Sequence, residues 1–490
     1  MNHRVLAVDL GASSGRAMLV SCTGNAIEMQ EIHRFVNQPL EIGGAGAAAP
    51  HTLFWDLDLL IGEIKRALVI ARDRDLLPDS LAIDTWGVDF GLIGADGKVI
   101  QNPVHYRDAR TAGMMEECFA RLPAERLYAL TGVQFMELNT VFQLAAAAKY
   151  RPELLEQAQT LLLMPDLLTY LLTGQAAAEF SIAGTTQLLD PVTKDWCGEI
   201  FDALSLPKRL MPPVVMPGTP AGVLRREICE ELGLPPIPVV RTASHDTKAA
   251  AAAVPAVTDD FLFISLGTWA IMGTELAEPV ISDAVKNENL TNEGGAGGVS
   301  LMMKTMTGCW LLQESRRQWR REGNELSFPE IEKLAAEAPP FRSLIDPDHP
   351  RFAPPGDLPG EIRAYCAETG QPVPQTVGET ARCIYESLAL SFRKSKEQIE
   401  RCTGKTFPAI HIIGGGSQNP LICEMTAAAC GIPVYAGPVE ATVLGNAAVQ
   451  WIAADAVKDI AAARKLIAEA FPIKKVTPMA VGSWPLITDH

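Results

Sequence analysis

The chain has 490 residues, of which 48% are hydrophobic and 20% are charged. This balance is ordinary for a globular protein and excludes a disordered chain, a fibrous repeat or a small disulfide-stabilised scaffold. The formal net charge of −16 also excludes a general electrostatic attraction to nucleic acid or to an anionic membrane. At about 150 residues per domain, the length allows two large domains or three smaller ones.

The predicted elements are short apolar strands, helices with a 3.6-residue hydrophobic period, and turns. In chain order they are a strand at 5–9, a Gly-Ala-Ser-Ser-Gly-Arg turn at 11–16, a strand at 17–20, a helix over 56–71, strands at 81–84 and 88–93, mostly helix over 112–174, a strand at 239–241, an alanine-rich helix after 247, a strand at 410–413 and a Gly-Gly-Gly turn at 414–416. Asn419 followed by Pro420 predicts a helix that begins there, with Asn at the cap.

The sequence contains no stretch of the ~20 apolar residues that a membrane-spanning helix needs, and Asp9 follows the apolar run near the N-terminus. The ten cysteines are scattered, and none belongs to a Cys-x-x-Cys pair, so zinc binding of that type is not expected. Free thiols that pack as small apolar side chains are typical of a reducing compartment. We therefore expect a cytoplasmic protein, in which a pairing of Cys366 with Cys383 is left open.

Two segments share the same predicted order of strand, turn and strand. LAVDLGASSGRAMLV at 6–20 and FLFISLGTWAIMGTE at 261–275 each read as a strand, a Leu-Gly turn and a second strand. They lie about half a chain length apart. The repeat predicts two related halves, each of which opens with a β-hairpin whose tip suits the close approach of a ligand to the backbone.

The first hairpin turn favours phosphate binding, since its glycines expose backbone N–H groups and its serines add donors. Asp9, at the end of the first strand, suits a divalent cation. A P-loop requires Gly-Lys-Ser/Thr where Arg16 follows Gly15, and a Rossmann turn requires a third glycine that opens a helix. Residues 11–15 also match the Gly-x-Ser-x-Gly nucleophile elbow, although that motif precedes a helix and the segment here is β-rich. A plain structural turn remains an alternative.

The segment Ser244–Thr247 lies between a buried strand and the alanine-rich helix. At a helix N-terminus the dipole favours an ionised carboxylate, so Asp246 is a candidate general base for a substrate hydroxyl. Alternatively, Asp246 or Thr247 caps the helix by accepting backbone N–H groups. Both interpretations stay open at this point.

Three further motifs have a binding interpretation and a structural one. The glycines at 414–416 suit adenine or ribose, or form a tight turn. Residues 84–89 place Trp86 among two carboxylates, which suits a sugar, although a buried strand also explains the tryptophan. The polar cluster at 105–110 is a candidate site or a solvated loop.

Together these motifs resemble the FGGY carbohydrate kinases of the actin-like, ribonuclease-H-like ATPase superfamily, from Val5 to about Gln450. The segments that carry the resemblance are VDLGASSGR (8–16), IDTWGVDF (83–90), YRDART (106–111), LLMPDLLTYLLTG (162–174), ASHDT (243–247), GTW (267–269), TNEGG (291–295), WLLQ (310–313), IIGGGSQN (412–419) and GPVEATVLGN (437–446). Many members carry Pro-Lys-Asp at the position where this chain has Met164-Pro165-Asp166. At that position this chain resembles the branch of the family that phosphorylates L-rhamnulose.

The resemblance implies two α/β domains of the actin-like type with an interdomain cleft. Residues 1–247 would form the N-terminal domain, with the sugar site, the first phosphate hairpin and the base, and 248–490 the C-terminal domain, with the second hairpin and the adenosine loop. The implied ATP contacts are Ala12, Ser13, Ser14, Gly15, Arg16, Thr268, Gln313 and Gly415. The implied sugar contacts are Gly87, His245, Asp246 and Thr247.

The implied reaction transfers the γ-phosphoryl group of ATP to the O1 hydroxyl of L-rhamnulose, in L-rhamnose degradation. Asp246 would accept the hydroxyl proton and Asp9 would orient Mg²⁺. Neither nucleic acid nor membrane is an expected partner. The alternative within the family is a kinase for another ketose or polyol, such as L-fuculose. The alternative in a different class is an actin-like switch ATPase without a sugar substrate.

Overall fold

The computed structural model describes residues 2–43, 52–478 and 484. Its strands are β1 (Asn2–Leu10), β2 (Ser14–Thr23), β3 (Ala26–Val36), β4 (Leu40–Ile42), β5 (Thr52–Phe54), β6 (Ser80–Thr85), β7 (Phe90–Gly94), β8 (Ala158–Leu163), β9 (Ala178–Glu179), β10 (Leu189–Asp190), β11 (Asp195–Trp196), β12 (Val214–Val215), β13 (Pro220–Val223), β14 (Pro238–Val240), β15 (Leu262–Leu266), β16 (Trp269–Leu276), β17 (Thr291–Gly294), β18 (Ser300–Thr307), β19 (Ile410–Ile413), β20 (Val434–Ala436) and β21 (Lys474–Val476).

The helices are α1 (Leu57–Asp73), α2 (Met114–Phe119), α3 (Ala124–Thr131), α4 (Thr140–Tyr150), α5 (Pro152–Gln157), α6 (Met164–Thr173), α7 (Phe180–Ala183), α8 (Gly198–Leu204), α9 (Arg226–Leu232), α10 (Asp246–Ala252), α11 (Asp283–Asn287), α12 (Trp310–Arg321), α13 (Phe328–Glu337), α14 (Leu358–Glu368), α15 (Val377–Thr403), α16 (Pro420–Cys430), α17 (Ala441–Ala453) and α18 (Ile460–Ala470). Within the described ranges, no helix is long and apolar enough to cross a membrane.

The chain forms two compact units. Unit 1 comprises residues 1–253, 275–302 and 442–470, and unit 2 comprises 254–274, 303–441 and 471–490. Three separate stretches of sequence thus build unit 1. The domain boundary at 247/248 stays a prediction.

Unit 1 contains a six-stranded sheet of order β13-β14-β6-β1-β2-β3. β1 and β2 form an antiparallel hairpin, and β6 runs parallel to β1. Apolar residues of β1 and β6 pack with the buried face of α1, which confirms the predicted helix over 56–71 and begins after the capping residue Asp56. A second core in this unit surrounds the β7–β8 pair.

Six strands that lie wholly or mostly in unit 2 are hydrogen-bonded in the order β18-β16-β15-β19-β20-β21. β15 and β16 form an antiparallel hairpin, β19 runs parallel to β15, and β20 runs parallel to β19. The first hairpin of unit 1 is likewise followed by two parallel strands, β6 and β14. The predicted internal repeat is therefore confirmed at the level of strand order.

Most of the predicted elements are confirmed, and three differ. The turn predicted at 11–16 is shorter, because β2 begins at Ser14 rather than at Ala17. The segment 112–174 is interrupted by β8, whose apolar residues pair with β7. β7 begins at Phe90 rather than at Val88, because Val88 has a φ of +67°, which an extended strand does not allow. The ten cysteines, all within the described residues, are free thiols, and Cys366 and Cys383 are in hydrogen-bonding contact without a disulfide.

Candidate active site

Two aspartates lie side by side on neighbouring strands of the unit 1 sheet. β1 and β6 run parallel and pair Asp9 with Asp84. The guanidinium of Arg16 donates to Asp9 Oδ2 through Nη2 at 2.7 Å and through Nε at 2.9 Å. The pairing of β1 with β2 brings Arg16 opposite Asp9, so the first hairpin supplies both members of this ion pair.

Asp84 is the more buried of the two, with no exposed side-chain surface. Its Oδ2 accepts a hydrogen bond from Asn446 Nδ2 at 2.6 Å, whereas Oδ1 is buried without a hydrogen-bond partner. Burial, and then the negative charge of Asp9, raise the pKa of Asp84 well above its usual value. A buried carboxylate oxygen without a donor is costly, so this atom is suited to a cation.

Asp246 is the first residue of α10, and His245 occupies the N-cap position. The Asp246 carboxylate accepts from the backbone N–H of Thr247 at 2.6 Å and from its hydroxyl at 3.1 Å. Burial and the charge of Asp9 raise the pKa of Asp246 to about 6. Asp246 is the N1 residue of the helix and Thr247 is N2, so this carboxylate satisfies one of the N–H groups at the start of α10. The predicted capping contact and the candidate base are thus the same side chain.

The predicted sugar residues lie together in unit 1. The backbone N–H of Thr85 donates to the carbonyl of Ser244 at 2.9 Å, which joins the end of β6 to the start of α10. A Cβ on Gly87 would lie 3.2 Å from His245 Nε2, so glycine permits this close approach. The positive φ of the β-branched Val88 next to it is a strained conformation of the kind found at functional sites.

Trp86 does not offer an open aromatic face. It is 5% exposed, and its ring centroid lies 3.8 Å from that of Trp55. Both indole N–H groups donate to Asp89 Oδ2, at 3.0 Å from Trp86 and 2.6 Å from Trp55. The interpretation of Trp86 as a buried structural residue is therefore correct. His105 stacks on Trp55 and is 4% exposed, so the solvated-loop interpretation is wrong for that residue.

The segment 11–16 leads from β1 into β2, whose first residues are 14–16. A strand on each side excludes the P-loop, Rossmann and nucleophile-elbow alternatives, since each requires a following helix. The N–H of Gly11 donates to the carbonyl of Ser14 at 2.9 Å, and Asn37 Nδ2 donates to the carbonyl of Gly11 at 2.9 Å. Ser13 and Ser14 are exposed. Gly15 is buried, and a Cβ there would lie 2.3 Å from the Phe35 ring, so packing requires glycine at that position.

In unit 2, the second hairpin turn and the glycine loop follow the same edge of the sheet, since Ser265 of β15 pairs with Ile413 of β19 in parallel. Thr268 Oγ1 donates to Gln313 Oε1 at 3.2 Å, so two predicted ATP contacts touch. A Cβ on Gly415 would meet nothing within 4 Å. This loop therefore leaves space above Gly415 for a ligand.

Comparison with known proteins decides the family. Residues 4–253 match the FGGY family of carbohydrate kinases, N-terminal domain, and residues 262–454 match its C-terminal domain. The chain belongs to the FGGY family of carbohydrate kinases. It is a sugar kinase, and its two-domain α/β fold is that of the family.

Curated relatives of this FGGY kinase include a rhamnulokinase from Bacteroides thetaiotaomicron, 40% identical over 100% of this chain and 99% of the relative. A rhamnulokinase from Halalkalibacterium halodurans is 40% identical over 97% of this chain and 98% of that protein. Among solved structures, a xylulose kinase from Lactobacillus acidophilus has a TM-score of 0.80 at 15% identity, covering 97% of this chain and 94% of that one. A Plasmodium falciparum glycerol kinase with ADP has a TM-score of 0.74 at 13% identity, covering 96% and 93%.

Sequence reasoning assigned no role to Lys248, Glu293 or Asn446, and it placed Asp84 in a sugar motif. The parallel pairing of β1 with β6 is the signal that could have joined Asp84 to Asp9, because both aspartates end buried apolar strands. Asn446 lies at the end of the segment 437–446 that carries the family resemblance, and nothing local in the sequence points to its contact with Asp84. Lys248 could have been noticed as the one charged residue in the alanine-rich helix after Asp246.

The residues around Asp84 fit a magnesium ion. Among the residues that the structure describes, no three His, Cys, Asp or Glu side chains converge into a ready metal site. Mg²⁺ is usually held by only one or two carboxylates together with water and substrate phosphates. Asp9 and Asp84 supply two hard oxygen donors, and the buried Oδ1 of Asp84 has no other partner.

Proposed function

We propose that this FGGY kinase transfers the γ-phosphoryl group of ATP to the O1 hydroxyl of L-rhamnulose, giving L-rhamnulose 1-phosphate. The observation that carries the proposal is the 40% identity to rhamnulokinases over the whole chain. The chemistry of the site supports it, since phosphoryl transfer depends mainly on positioning and charge neutralisation.

Asp246 is the proposed proton acceptor. A base is most effective when its pKa lies close to the working pH, and burial brings the pKa of Asp246 to about 6. At neutral pH the carboxylate is then mostly ionised yet retains affinity for the hydroxyl proton. Gly87, His245 and Thr247, which lie around this carboxylate, are the proposed sugar contacts.

For the nucleotide, the proposed contacts in unit 1 are the turn residues Ala12, Ser13, Ser14, Gly15 and Arg16, and those in unit 2 are Thr268, Gln313 and Gly415. Asp9 and Asp84 would hold Mg²⁺, which neutralises phosphate charge when bound. Arg16 contributes a fixed positive charge beside the same carboxylates. The ten free thiols are consistent with the reducing cytoplasm as its compartment.

A coupled assay of ADP release, with ATP, Mg²⁺ and a panel of acceptors, tests the proposal. L-Rhamnulose is expected to give the highest kcat/KM among L-rhamnulose, L-fuculose, D-xylulose and glycerol, and phosphorus NMR should place the new phosphate on O1. A higher kcat/KM for another acceptor would reassign the substrate. Rapid ATP hydrolysis that no sugar stimulates would favour a switch ATPase.

A further inference from the structure

A fully buried lysine stands two residues after the proposed base. Lys248 has no exposed side-chain surface, and its Nζ donates to Glu293 Oε2. The same Nζ lies 2.6 Å from His245 Nδ1. Glu293 is held in turn by the hydroxyl of Thr291, which donates to its Oε1 at 2.8 Å. A buried ammonium is tolerated only with a charged partner, and Glu293 provides it.

The ammonium group determines which nitrogen of His245 carries the proton. Lys248 Nζ has three donors and no acceptor, so His245 Nδ1 must accept from it. The neutral imidazole then carries its proton on Nε2. Burial, and then the charge of Lys248, hold the pKa of His245 well below its usual value, so the ring stays neutral.

The Nε2 atom of His245 faces the proposed sugar residues. It lies 3.4 Å from Asp246 Oδ1, beyond the 2.7–3.2 Å of an ordinary N–H···O hydrogen bond. A Cβ on Gly87 would lie 3.2 Å from it. The Nε2–H group therefore lies beside both Gly87 and Asp246 without a hydrogen bond to that carboxylate, and it has the capacity to donate to an incoming oxygen.

We propose that Lys248, neutralised by Glu293, is a positioning residue that fixes His245 as an Nε2–H donor to an oxygen of the bound sugar. Lys248 acts only through His245. Because Nδ1 is occupied and Nε2 is protonated, His245 does not compete with Asp246 for the hydroxyl proton. The sugar-binding part of this inference rests on the proposed function, whereas the tautomer is a property of the ligand-free protein.

The tautomer is measured directly by long-range ¹H–¹⁵N correlation NMR on ligand-free protein labelled at its histidines, with His245→Asn to assign the signals. We expect Nε2 to be protonated and Nδ1 bare in the wild type. Lys248→Met should give a mixture of tautomers. The matched control is Lys286→Met, which removes another lysine of unit 1, 17% exposed and paired with Asp283, and should leave the His245 signals unchanged. A wild-type His245 protonated on Nδ1 would overturn the proposal.

Kinetics provide the second readout. Loss of one hydrogen bond to the sugar corresponds to a roughly 3- to 10-fold increase in its KM. We expect that increase for Lys248→Met, with the KM for ATP unchanged, and partial rescue by Lys248→Gln, whose amide N–H can donate to Nδ1. In the His245→Asn background, Lys248→Met should add no further increase. If the increases in the sugar KM caused by the two substitutions multiply in the double variant, Lys248 does not act through His245, and the proposal is overturned.

These readouts separate the inference from the proposed function. If another ketose proves to be the substrate, the KM comparison uses that ketose, and the NMR result is unaffected. If Lys248→Met fails to fold, the wild-type tautomer and the sugar KM of Lys248→Gln still decide. A glutamine amide can donate to Nδ1 or accept from it, so the position of the proton is read in the wild type, where an Nδ1–H form would overturn the proposal.

Discussion

The carboxylate of Asp246 combines burial with a nearby negative charge and a donor from its own helix. Burial and Asp9 raise its pKa to about 6, whereas the Thr247 N–H stabilises the ionised form. The balance leaves a carboxylate that is charged at neutral pH and still basic enough to draw a proton from an alcohol during phosphoryl transfer.

Asp246→Asn should lower kcat by about 10²- to 10⁴-fold, the usual contribution of a general base. Folding should be preserved, since an amide oxygen can still accept from Thr247. The measurement is kcat beside thermal unfolding, with the exposed Asp58→Asn as the matched control. A kcat within threefold of the wild type would remove Asp246 from the role of base.

His105 gives a prediction about pH. Burial, and then the charge of Arg107, lower its pKa to about 4, whereas an unfolded histidine titrates near 6.5. The unfolded state therefore binds a proton first as the pH falls. The stability that the neutral His105 contributes is fully present above about pH 6.5. The free energy of unfolding then falls by about 2–3 kcal/mol as the pH falls from about 6.5 to about 4.

The check is the free energy of urea unfolding at several pH values between 7 and 4.5. His105→Asn retains an acceptor for the Arg107 N–H, which His105 Nδ1 accepts at 3.0 Å, but it has no charge to gain. Its free energy should fall less steeply with falling pH. Asp89 titrates near 6 with the opposite sign, and it is present in both proteins, so the difference isolates His105. Parallel profiles would contradict the prediction.

At the scale of elements, α10 packs closely against α17. Gly445 of α17 lies so close to α10 that a Cβ would be 1.7 Å from the carbonyl oxygen of Ala249. One residue further along, Asn446 donates to Asp84. The packing of the two helices therefore positions both Asp84 and the helix that carries Asp246.

Gly445→Ala should destabilise unit 1 by at least about 2 kcal/mol, because backbone has to move to relieve the clash. It should also reduce kcat, because α10 carries Asp246. Gly62→Ala in α1 is the matched control, since a Cβ there meets nothing within 4 Å, and it should stabilise by ~0.5–1 kcal/mol. Urea unfolding and kcat measure both, and an unchanged stability for Gly445→Ala would refute the steric account.

The local features of the chain could be predicted from sequence, and the contacts between distant segments could not. The cap at Asn419 was predictable because its side chain bonds the N–H of Ile422, three residues on. The strand β8 was not, because a short apolar run such as residues 160–164 suits a buried strand or a helix equally. The contacts of Asp84 could not be predicted, because its partners, Asp9 and Asn446, reach it only through strand register and helix packing.

The candidate site shows the same difference between local features, which could be predicted, and contacts between distant segments, which could not. Asp246 could be proposed as a base from the segment 243–247, since its position at the start of a helix is visible in the sequence. Lys248 meets Glu293 from 45 residues away, and no periodicity indicates that contact. Trp86 was ambiguous because an aromatic residue near carboxylates suits either a sugar site or a core, and only the contact with Trp55 decides for the core.

At the scale of the whole molecule, Arg464 joins the three chain segments of unit 1. It donates to both carboxylate oxygens of Glu275 and to the backbone carbonyls of Ala251 and Ala252. Arg464 is 8% exposed. One buried cation thus connects the end of α10 with β16 and α18 through two carbonyls of the last turn of α10 and the carboxylate of Glu275.

Arg464→Met should lower the stability of unit 1 by about 3–5 kcal/mol, since it leaves Glu275 charged and unpaired. The double variant Arg464→Met with Glu275→Met should recover part of that loss. Urea unfolding provides the measurement. The control is Arg226→Met, which removes an 85% exposed arginine and should change stability by less than about 0.5 kcal/mol. Additive losses in the double variant would argue against the ion pair as the cause.

The three-segment construction of unit 1 has a consequence for synthesis on the ribosome. Asp84 is 362 residues from Asn446, whose amide donates to it. At about 5–20 residues per second, roughly 20–70 seconds pass between the emergence of the two. Throughout that interval the nascent strands β1 and β6 lack α17, whose Asn446 and Gln450 hydrogen-bond to Asp84 and to the carbonyl of Leu6, so chaperone binding is favoured until α17 arrives.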